Sequence, residues 1–266
     1  MKRLIAVLSV LAVLTMALSV PAFAGSLEEI QKRGTLRVGM EPGYMPFELT
    51  NKKGEIVGFD VDMVKRMAKA MDVKLELVST AWDGIIPALI TKKFDLIASG
   101  MTLTQQRNMQ INFAQPYIVI GQSILLKKDL ASTVKSYMDL NDPKYTVASK
   151  LGTTGEQATK RMISKAKYIS YETEQEGVLE LANGKIDAFI YDLPYNAAAY
   201  VQRGQGKMVH LDKSFTYEPL AWAVRKGDPD FINWLDNFLN QVKNDGTYDK
   251  IYSKWFEDDA WMKDLQ

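Results

Sequence analysis

Short apolar runs of strand length alternate along the chain with segments whose apolar residues recur at helical spacing. The first such runs are TLRVGM, KLELVS and FDLIAS, and the order repeats later with YTVASK, KYISYE and KIDAFIYD. In the segment after TLRVGM the apolar positions form one helix face, which we interpret as core packing. They are Met63, Val64, Met67, Ala68 and Met71. This alternation predicts an α/β fold with mostly parallel sheets flanked by helices.

Capping residues predict where several of these helices begin and end. Gly34 follows a short helical segment and should end it. Asp83 is placed to cap the helix in DGIIPALITKK. Thr173 and Glu176 have the spacing of a capping box, and Gly184 should end the helix that they begin.

The two halves of this pattern resemble one another in sequence. ITKKFDLIASG aligns with ANGKIDAFIYD, which places Gly100 over Asp192, and VGMEPG aligns with VASKLG, which places Glu41 over Lys150. The repeat is too short to establish a duplication. Because ligands of parallel α/β sheets lie beyond the carboxyl ends of the strands, the loops there are candidate site segments. They are 41–47, 82–83, 99–107, 150–156 and 191–195.

Residues 1–24 have the pattern of a secretory leader. Lys2 and Arg3 precede an apolar run over 4–20, and Ala22-Phe23-Ala24 gives a small-x-small cleavage site. We expect cleavage after Ala24 and export to the periplasm; the alternative is an uncleaved membrane anchor. No Cys lies near the junction, which excludes a lipid anchor attached through Cys.

Composition removes several classes of partner. Without Lys2 and Arg3 the 33 basic residues become 31, against 32 acidic residues, so neither nucleic acid nor an anionic membrane is expected. The chain has no Cys and a single His, His210, which disfavours a transition-metal site. We expect no cofactor, and we predict that His210 is an ordinary surface residue.

A cation and several small polar residues follow the strand FDLIAS. Arg107 is either a solvated helix arginine or a bidentate clamp for a carboxylate. Ser99, Gly100 and Thr102 would supply hydroxyls and accessible backbone groups beside it. In the second half, Thr154 lies at a helix start in GTTGEQ, which indicates plain capping, anion binding or both.

Acidic and aromatic residues occupy the other candidate loops. Asp192 ends the strand KIDAFIYD, as a turn residue or as a partner for an ammonium group. Tyr44 and Trp82 are core aromatics or, together, a platform for a side chain. Glu41 and Lys150 are solvated charges or contacts at the far end of a ligand. A carboxylate clamp, an ammonium partner and an aromatic platform together describe an α-amino acid.

The chain resembles the family 3 periplasmic solute-binding proteins of polar amino-acid ABC importers. The resemblance covers 34–257 and no metal, cofactor or catalytic residue is implied by it. Its motifs, in chain order, are GTLRVGMEPGYMPFE, GxIVGFDVDM, WDGIIPAL, KFDLIASGMTLTQQR, NFAQPYI, GTTGEQ, GKIDAFIYDLP and NDGTYDKIYSKWF.

This resemblance implies a type II periplasmic binding protein fold, in which two α/β lobes are joined by two hinge crossings. The segments expected are a signal peptide at 1–24, lobe 1 at 25–118 and 219–266, and lobe 2 at 119–218. The crossings would fall near 116–122 and 216–221. The ligand would lie between the lobes, whose closure presents it to a permease in the inner membrane.

The family motif also implies roles for the candidate residues. Arg107 would bind the ligand carboxylate, assisted by the backbone N–H groups of Thr102 and Thr154. Asp192 would bind the ammonium, together with the Gly100 carbonyl and the Thr102 hydroxyl. The ligand side chain would pack on the two aromatics named above.

The resemblance places an acid, Glu41, and a base, Lys150, near the end of the ligand side chain. A lone Glu41 would favour a cationic ligand, and Lys150 opposes that, so a polar neutral amide such as glutamine is favoured. We expect a monomer that is not an enzyme. The alternatives are a dehydratase on the same fold, acting on carboxylated cyclohexadienes, and a ligand-sensing module for a separate signalling protein.

Overall fold

Two five-stranded sheets organise the chain. The structure is a computed structural model and describes residues 25–204 and 206–265, so the predicted leader lies outside the described residues. The strands are β1 (Thr35–Met40), β2 (Leu49–Thr50), β3 (Ile56–Val57), β4 (Lys74–Ser79), β5 (Leu96–Ile97), β6 (Asn112–Phe113), β7 (Ile118–Ile120), β8 (Gln122–Lys127), β9 (Thr146–Lys150), β10 (Lys167–Tyr171), β11 (Ala188–Asp192), β12 (Met208–Leu211), β13 (Glu218–Leu220) and β14 (Ala223–Val224).

Helices lie between the strands. The α-helices are α1 (Ser26–Arg33), α2 (Phe59–Ala70), α3 (Trp82–Ile90), α4 (Gln105–Asn108), α5 (Thr154–Met162), α6 (Glu174–Ala182), α7 (Leu193–Ala199), α8 (Pro229–Asn244) and α9 (Thr247–Tyr252). Short 3-10 or π segments cover Lys128–Leu130, Tyr200–Gly204, Ser253–Glu257 and Ala260–Asp264. In the part of the chain that the structure describes, no helix combines the length and apolarity that crossing a membrane requires.

Each sheet has a parallel core extended by antiparallel strands. The first sheet has the order β4-β1-β5-β14-β6, with β1 parallel to β4 and β5, and β14 antiparallel to β5 and β6. The second has the order β10-β9-β11-β8-β12, with β9 parallel to its neighbours and β8 antiparallel to β11 and β12. The predicted α/β class is therefore confirmed, and the sheets are more mixed than the sequence indicated.

One small ladder lies where the chain passes between the two sheets. β7 pairs antiparallel with β13, so that Ile120 lies opposite Glu218 and Ile118 opposite Leu220. Both strands fall inside the two predicted crossing segments. Residues of the first sheet precede β7 or follow β13, whereas all strands of the second sheet lie between them.

Local sequence signals predicted several helix ends. Gly34 ends α1 in the left-handed conformation, at φ 68°. The Thr173 hydroxyl accepts from the backbone N–H of Glu176 at the start of α6, as predicted. The cap predicted at Asp83 is wrong, because α3 begins one residue earlier, at Trp82, and Asp83 lies inside its first turn.

The core follows the predicted apolar faces. Met63, Val64 and Met67 of α2 are fully buried against the first sheet. His210 is not the surface residue predicted: it is half-buried on β12, where its Nε2 lies 2.9 Å from the Ser123 hydroxyl. Burial lowers the pKa of His210, so the imidazole is held neutral inside the sheet.

Candidate functional site

The strand ends of the two sheets face one another around a narrow cavity of about 20 Å³. This volume admits about one water molecule, so an amino acid fits only when the surrounding groups move apart. Nine of the ten predicted site residues line it, and the tenth, Lys150, contacts a lining residue. The lining residues are Glu41, Tyr44, Glu48, Trp82, Ser99, Gly100, Thr102, Arg107, Thr153, Thr154, Tyr191 and Asp192.

Arg107 is buried at the cavity wall and is not a solvated helix residue. It lies on α4, whose first turn is fixed by a bond from the Arg107 backbone N–H to the Thr104 hydroxyl, at 3.1 Å. Its Nη1 donates to the Thr102 carbonyl at 2.9 Å, and its Nη2 to the Gly152 carbonyl at 3.4 Å. The guanidinium also lies 5.2 Å from the centre of the Trp82 ring. Burial lowers the pKa of Arg107, because desolvation penalises its charge.

The small residues after β5 bring the backbone close to the cavity. Gly100 has φ +48°, and a Cβ there would lie 2.1 Å from the Tyr44 ring. Only glycine fits this approach without displacing Tyr44. Ser99 is less accessible than predicted, since its hydroxyl donates to Glu48 at 2.5 Å and accepts from the Glu41 backbone N–H at 3.0 Å.

Asp192 is aimed into the cavity and does not act as a cap. It precedes α7, yet its side chain makes no capping bond to that helix. Instead the Tyr44 hydroxyl and the Gln122 amide each donate to one of its carboxylate oxygens. Burial raises the pKa of Asp192 to about 7. The Tyr44 ring stacks on Phe47 at 4.8 Å between centroids, and the residue also lines the cavity.

Glu41 and Lys150 form part of a buried charge cluster. Lys150 Nζ contacts Glu41 and lies 2.7 Å from Glu174 Oε2. Its side chain is only 2 % exposed and that of Glu174 only 1 %, which excludes the alternative of a solvated charge for Lys150. Burial opposes the charge on Lys150, but Glu174 and Glu41 together raise its pKa above the usual value. Two carboxylates on one ammonium leave this end of the cavity with an excess negative charge.

Direct contacts join the two sheets across the cavity. Trp82 Nε1 donates to the Gly152 carbonyl at 3.0 Å, and Gln175 Nε2 donates to the Gly43 carbonyl at 2.8 Å. The Thr102 and Thr154 hydroxyls lie 3.4 Å apart. Together with the Lys150 ion pair, these contacts close the mouth between the strand ends.

Buried acceptors without donors lie at the cavity wall or behind it. Of the residues that the structure describes, four acidic or amide side chains here have an oxygen with no hydrogen-bond partner. They are Glu48 Oε2, Asp60 Oδ1, Gln122 Oε1 and Glu174 Oε1. All four were missed at the sequence level. Of the four, Glu48 is a lining residue, so its side chain is the one placed to meet a donor from a ligand.

Metal ligands are not clustered in this region. Across 25–204 and 206–265, no group of three or more His, Asp or Glu side chains is placed to hold a metal ion.

Comparison with known proteins places the chain in a family. Residues 36–258 match the model of the bacterial extracellular solute-binding proteins, family 3. The L-cystine-binding protein TcyJ of Escherichia coli K12 is 30% identical over 258 residues, which cover 96% of each chain.

Two solved structures are similar in both sequence and fold. A binding component of an ABC transporter from Wolinella succinogenes, complexed with lysine, is 58% identical with a TM-score of 0.85, covering 87% of this chain and 99% of its own. The ancestral amino-acid-binding protein AncCDT-1, described as a precursor of cyclohexadienyl dehydratase, is 49% identical with a TM-score of 0.82 and the same coverage. This chain belongs to the bacterial extracellular solute-binding proteins of family 3.

Proposed function

We propose that this protein binds a cationic L-amino acid in the cavity between its two sheets and delivers it to the permease of an ABC importer. Family membership supports the role of a transport receptor. The buried cluster in which two acids, Glu41 and Glu174, share one base, Lys150, is the observation that selects a cationic ligand.

In this proposal the α-carboxylate and the α-ammonium of the ligand bind oppositely charged residues on the two sides of the cavity. Arg107 presents a buried guanidinium, which matches a carboxylate in geometry and charge. Asp192 lies on the other sheet and carries two donors already, yet as an ionised carboxylate it can accept a third from an ammonium. A free amino acid is the ligand class that carries both groups on one carbon.

The side chain of the ligand would extend toward the charge cluster. Glutamine was favoured from sequence because Lys150 balanced Glu41, but Glu174 changes that count to two acids and one base. A side-chain ammonium or guanidinium would meet the excess charge and the unpaired Glu174 oxygen. The lysine bound by the 58% identical relative supports the same ligand class.

Hinge closure is the proposed mechanism of capture. We place lobe 1 at 25–118 and 219–266, lobe 2 at 119–218, and the hinge at the β7–β13 ladder. The ligand's partners are divided between the lobes, so a ligand stabilises the closed state by contacts that the open state lacks. The proposed receptor is a monomer, exported to the periplasm with cleavage after Ala24.

Binding without turnover is part of the proposal. The enzymatic alternative is a dehydratase, because AncCDT-1 is described as a precursor of cyclohexadienyl dehydratase. In such an enzyme a buried acid such as Asp192 could act as a general acid. Incubation of the purified protein with prephenate and arogenate tests it. We expect no product, and turnover by the wild-type protein would replace the receptor role with a dehydratase role.

Isothermal calorimetry tests the receptor role. The purified protein, freed of co-purified ligand by unfolding and refolding, is titrated with lysine, arginine, glutamine and glutamate. We expect one site per chain, with lysine or arginine tightest. The absence of heat with all four, together with no thermal shift across the common amino acids, would refute the proposal; glutamine tightest would refute the cationic class alone.

A further inference from the structure

Two buried carboxylates, Glu48 and Asp60, are held by adjacent residues behind the cavity, and the Asp60 backbone N–H donates to the carbonyl of Phe47, next to Glu48, at 2.9 Å. Glu48 lines the cavity and Asp60 lies behind it on the first turn of α2, and both are fully buried. Neighbouring residues hold them, since Ser99 donates to Glu48 Oε1 at 2.5 Å and the Gly100 N–H donates to Asp60 Oδ2 at 2.9 Å. The Tyr117 hydroxyl also donates to Asp60 Oδ2, at 2.9 Å.

Neither carboxylate has a cation of its own. Within the described part of the chain, no ion pair includes Glu48 or Asp60, and one oxygen of each lacks a donor. The charge of Lys150 acts on Glu48, but Lys150 is already held between two other acids. The titratable groups around the pair are Glu41, Tyr44, Tyr117, Lys150, Glu174 and Tyr248.

Such a pair does not ionise twice at neutral pH. Two carboxylates close together in a dry environment share one proton, because the second negative charge would be both desolvated and repelled. Burial and the neighbouring Asp60 raise the pKa of Glu48 well above its usual value. Burial raises the pKa of Asp60 to about 7.

We infer that Glu48 and Asp60 hold one proton in the ligand-free protein and that a cationic ligand expels it. The inference rests on the proposed function. The ligand brings a positive charge to the wall that Glu48 forms, and a nearby positive charge favours the ionised carboxylate. The O–H bond of the protonated carboxyl breaks, the pair passes from one negative charge to two, and the proton passes to the buffer.

Binding then becomes an exchange of a proton for a cation. An equilibrium that releases one proton strengthens up to tenfold for each unit of pH while the pair is protonated. We therefore expect lysine affinity to rise steadily between about pH 5 and pH 7 and to level off above the pKa of the pair.

Calorimetry in two buffers counts the released protons. Lysine is titrated into wild-type protein at pH 6.5 in phosphate and in Tris, whose ionisation heats differ, so the difference in binding heat gives the proton number. Glu48→Gln should bind lysine and release about one proton fewer, because a neutral amide that donates to Asp60 leaves that carboxylate ionised. Glu180→Gln, at a surface ion pair with Lys185, should release the same number as wild type.

A second variant, Asp60→Asn, and the wild-type protein provide the comparisons that can overturn the inference. Asp60→Asn should lower the count in the same way, and it stands in if Glu48→Gln does not fold. Protons released from Asp192 are common to all these proteins and cancel in the comparison. Release that is zero in wild type, or unchanged in both variants, overturns the inference and leaves the receptor role intact. No lysine binding by wild type overturns both.

Discussion

Glu174→Gln is the substitution that most sharply separates a cationic from a neutral ligand. Glu174 is the residue that turns a balanced Glu41–Lys150 pair into an acidic cluster, and its Oε2 lies 2.7 Å from Lys150 Nζ. Glutamine keeps the shape of the side chain and can still accept from Lys150, so the change removes charge with little change of volume. Glu174 Oε1 has no hydrogen-bond donor, so replacing this oxygen breaks no hydrogen bond.

The magnitude follows from Coulomb's law. A cationic group on the ligand that comes within about 5 Å of Glu174 gains about 3 kcal/mol at an effective dielectric constant of about 20. If reorganisation recovers half of this, the loss is about 1.5 kcal/mol, so lysine affinity should fall by roughly ten- to a hundredfold. Glutamine carries no side-chain charge, and its affinity should change by less than about threefold.

The assay is calorimetry with both ligands on three proteins. Wild type, Glu174→Gln and Glu176→Gln are each titrated with lysine and with glutamine at pH 7.5. Glu176 is exposed on the same helix turn and serves as the matched control, which we expect to bind both ligands as wild type does. Equal losses for lysine and glutamine, or an unchanged lysine affinity, would refute the assignment of the acidic end of the cavity.

Three further predictions concern the other parts of the site. Arg107→Ala should weaken the binding of every L-amino acid by about 2–5 kcal/mol, and Arg107→Lys by less, because only the guanidinium of arginine binds a carboxylate bidentately. Calorimetry measures both losses, and a loss confined to cationic ligands would contradict this role. The pKa values of Asp60 and Asp192, raised to about 7, mean that the folded protein retains protons that the unfolded chain releases near pH 4. Their contribution to stability is therefore complete below about pH 4 and is lost as pH rises through 7, so the melting temperature without ligand should fall from pH 5 to 8, and Asp60→Asn should flatten this slope; an unchanged slope would count against it. Gly100→Ala should weaken lysine binding at least tenfold by displacing Tyr44, and wild-type affinity in that variant would contradict the close approach.

The sequence predicted the parts of the site that local signals mark. Arg107 and Asp192 each follow a recognisable strand, and the carboxyl ends of parallel strands gather at one edge of a sheet. Thr173 was identified as a cap from its spacing to Glu176 alone. These features depend on a few neighbouring residues, so the pattern of the chain is sufficient to find them.

Residues that depend on distant partners escaped prediction. For Lys150 the sequence left open a solvated charge or a ligand contact, whereas in the fold Lys150 pairs with Glu41 and Glu174. Gln122 lies on β8, an antiparallel strand inserted beside β11, and no repeat or motif places it next to Asp192. Charge compensation and strand order are set by tertiary packing, which a one-dimensional pattern does not record.

A crystal structure of the wild-type protein with lysine tests the central claim most directly. The account predicts the α-carboxylate on the Arg107 guanidinium, the α-ammonium on Asp192, and the side-chain ammonium within about 4 Å of Glu41 or Glu174, with the two sheets closed around it. A lysine bound outside this cavity, or bound with its carboxylate away from Arg107, would contradict the account.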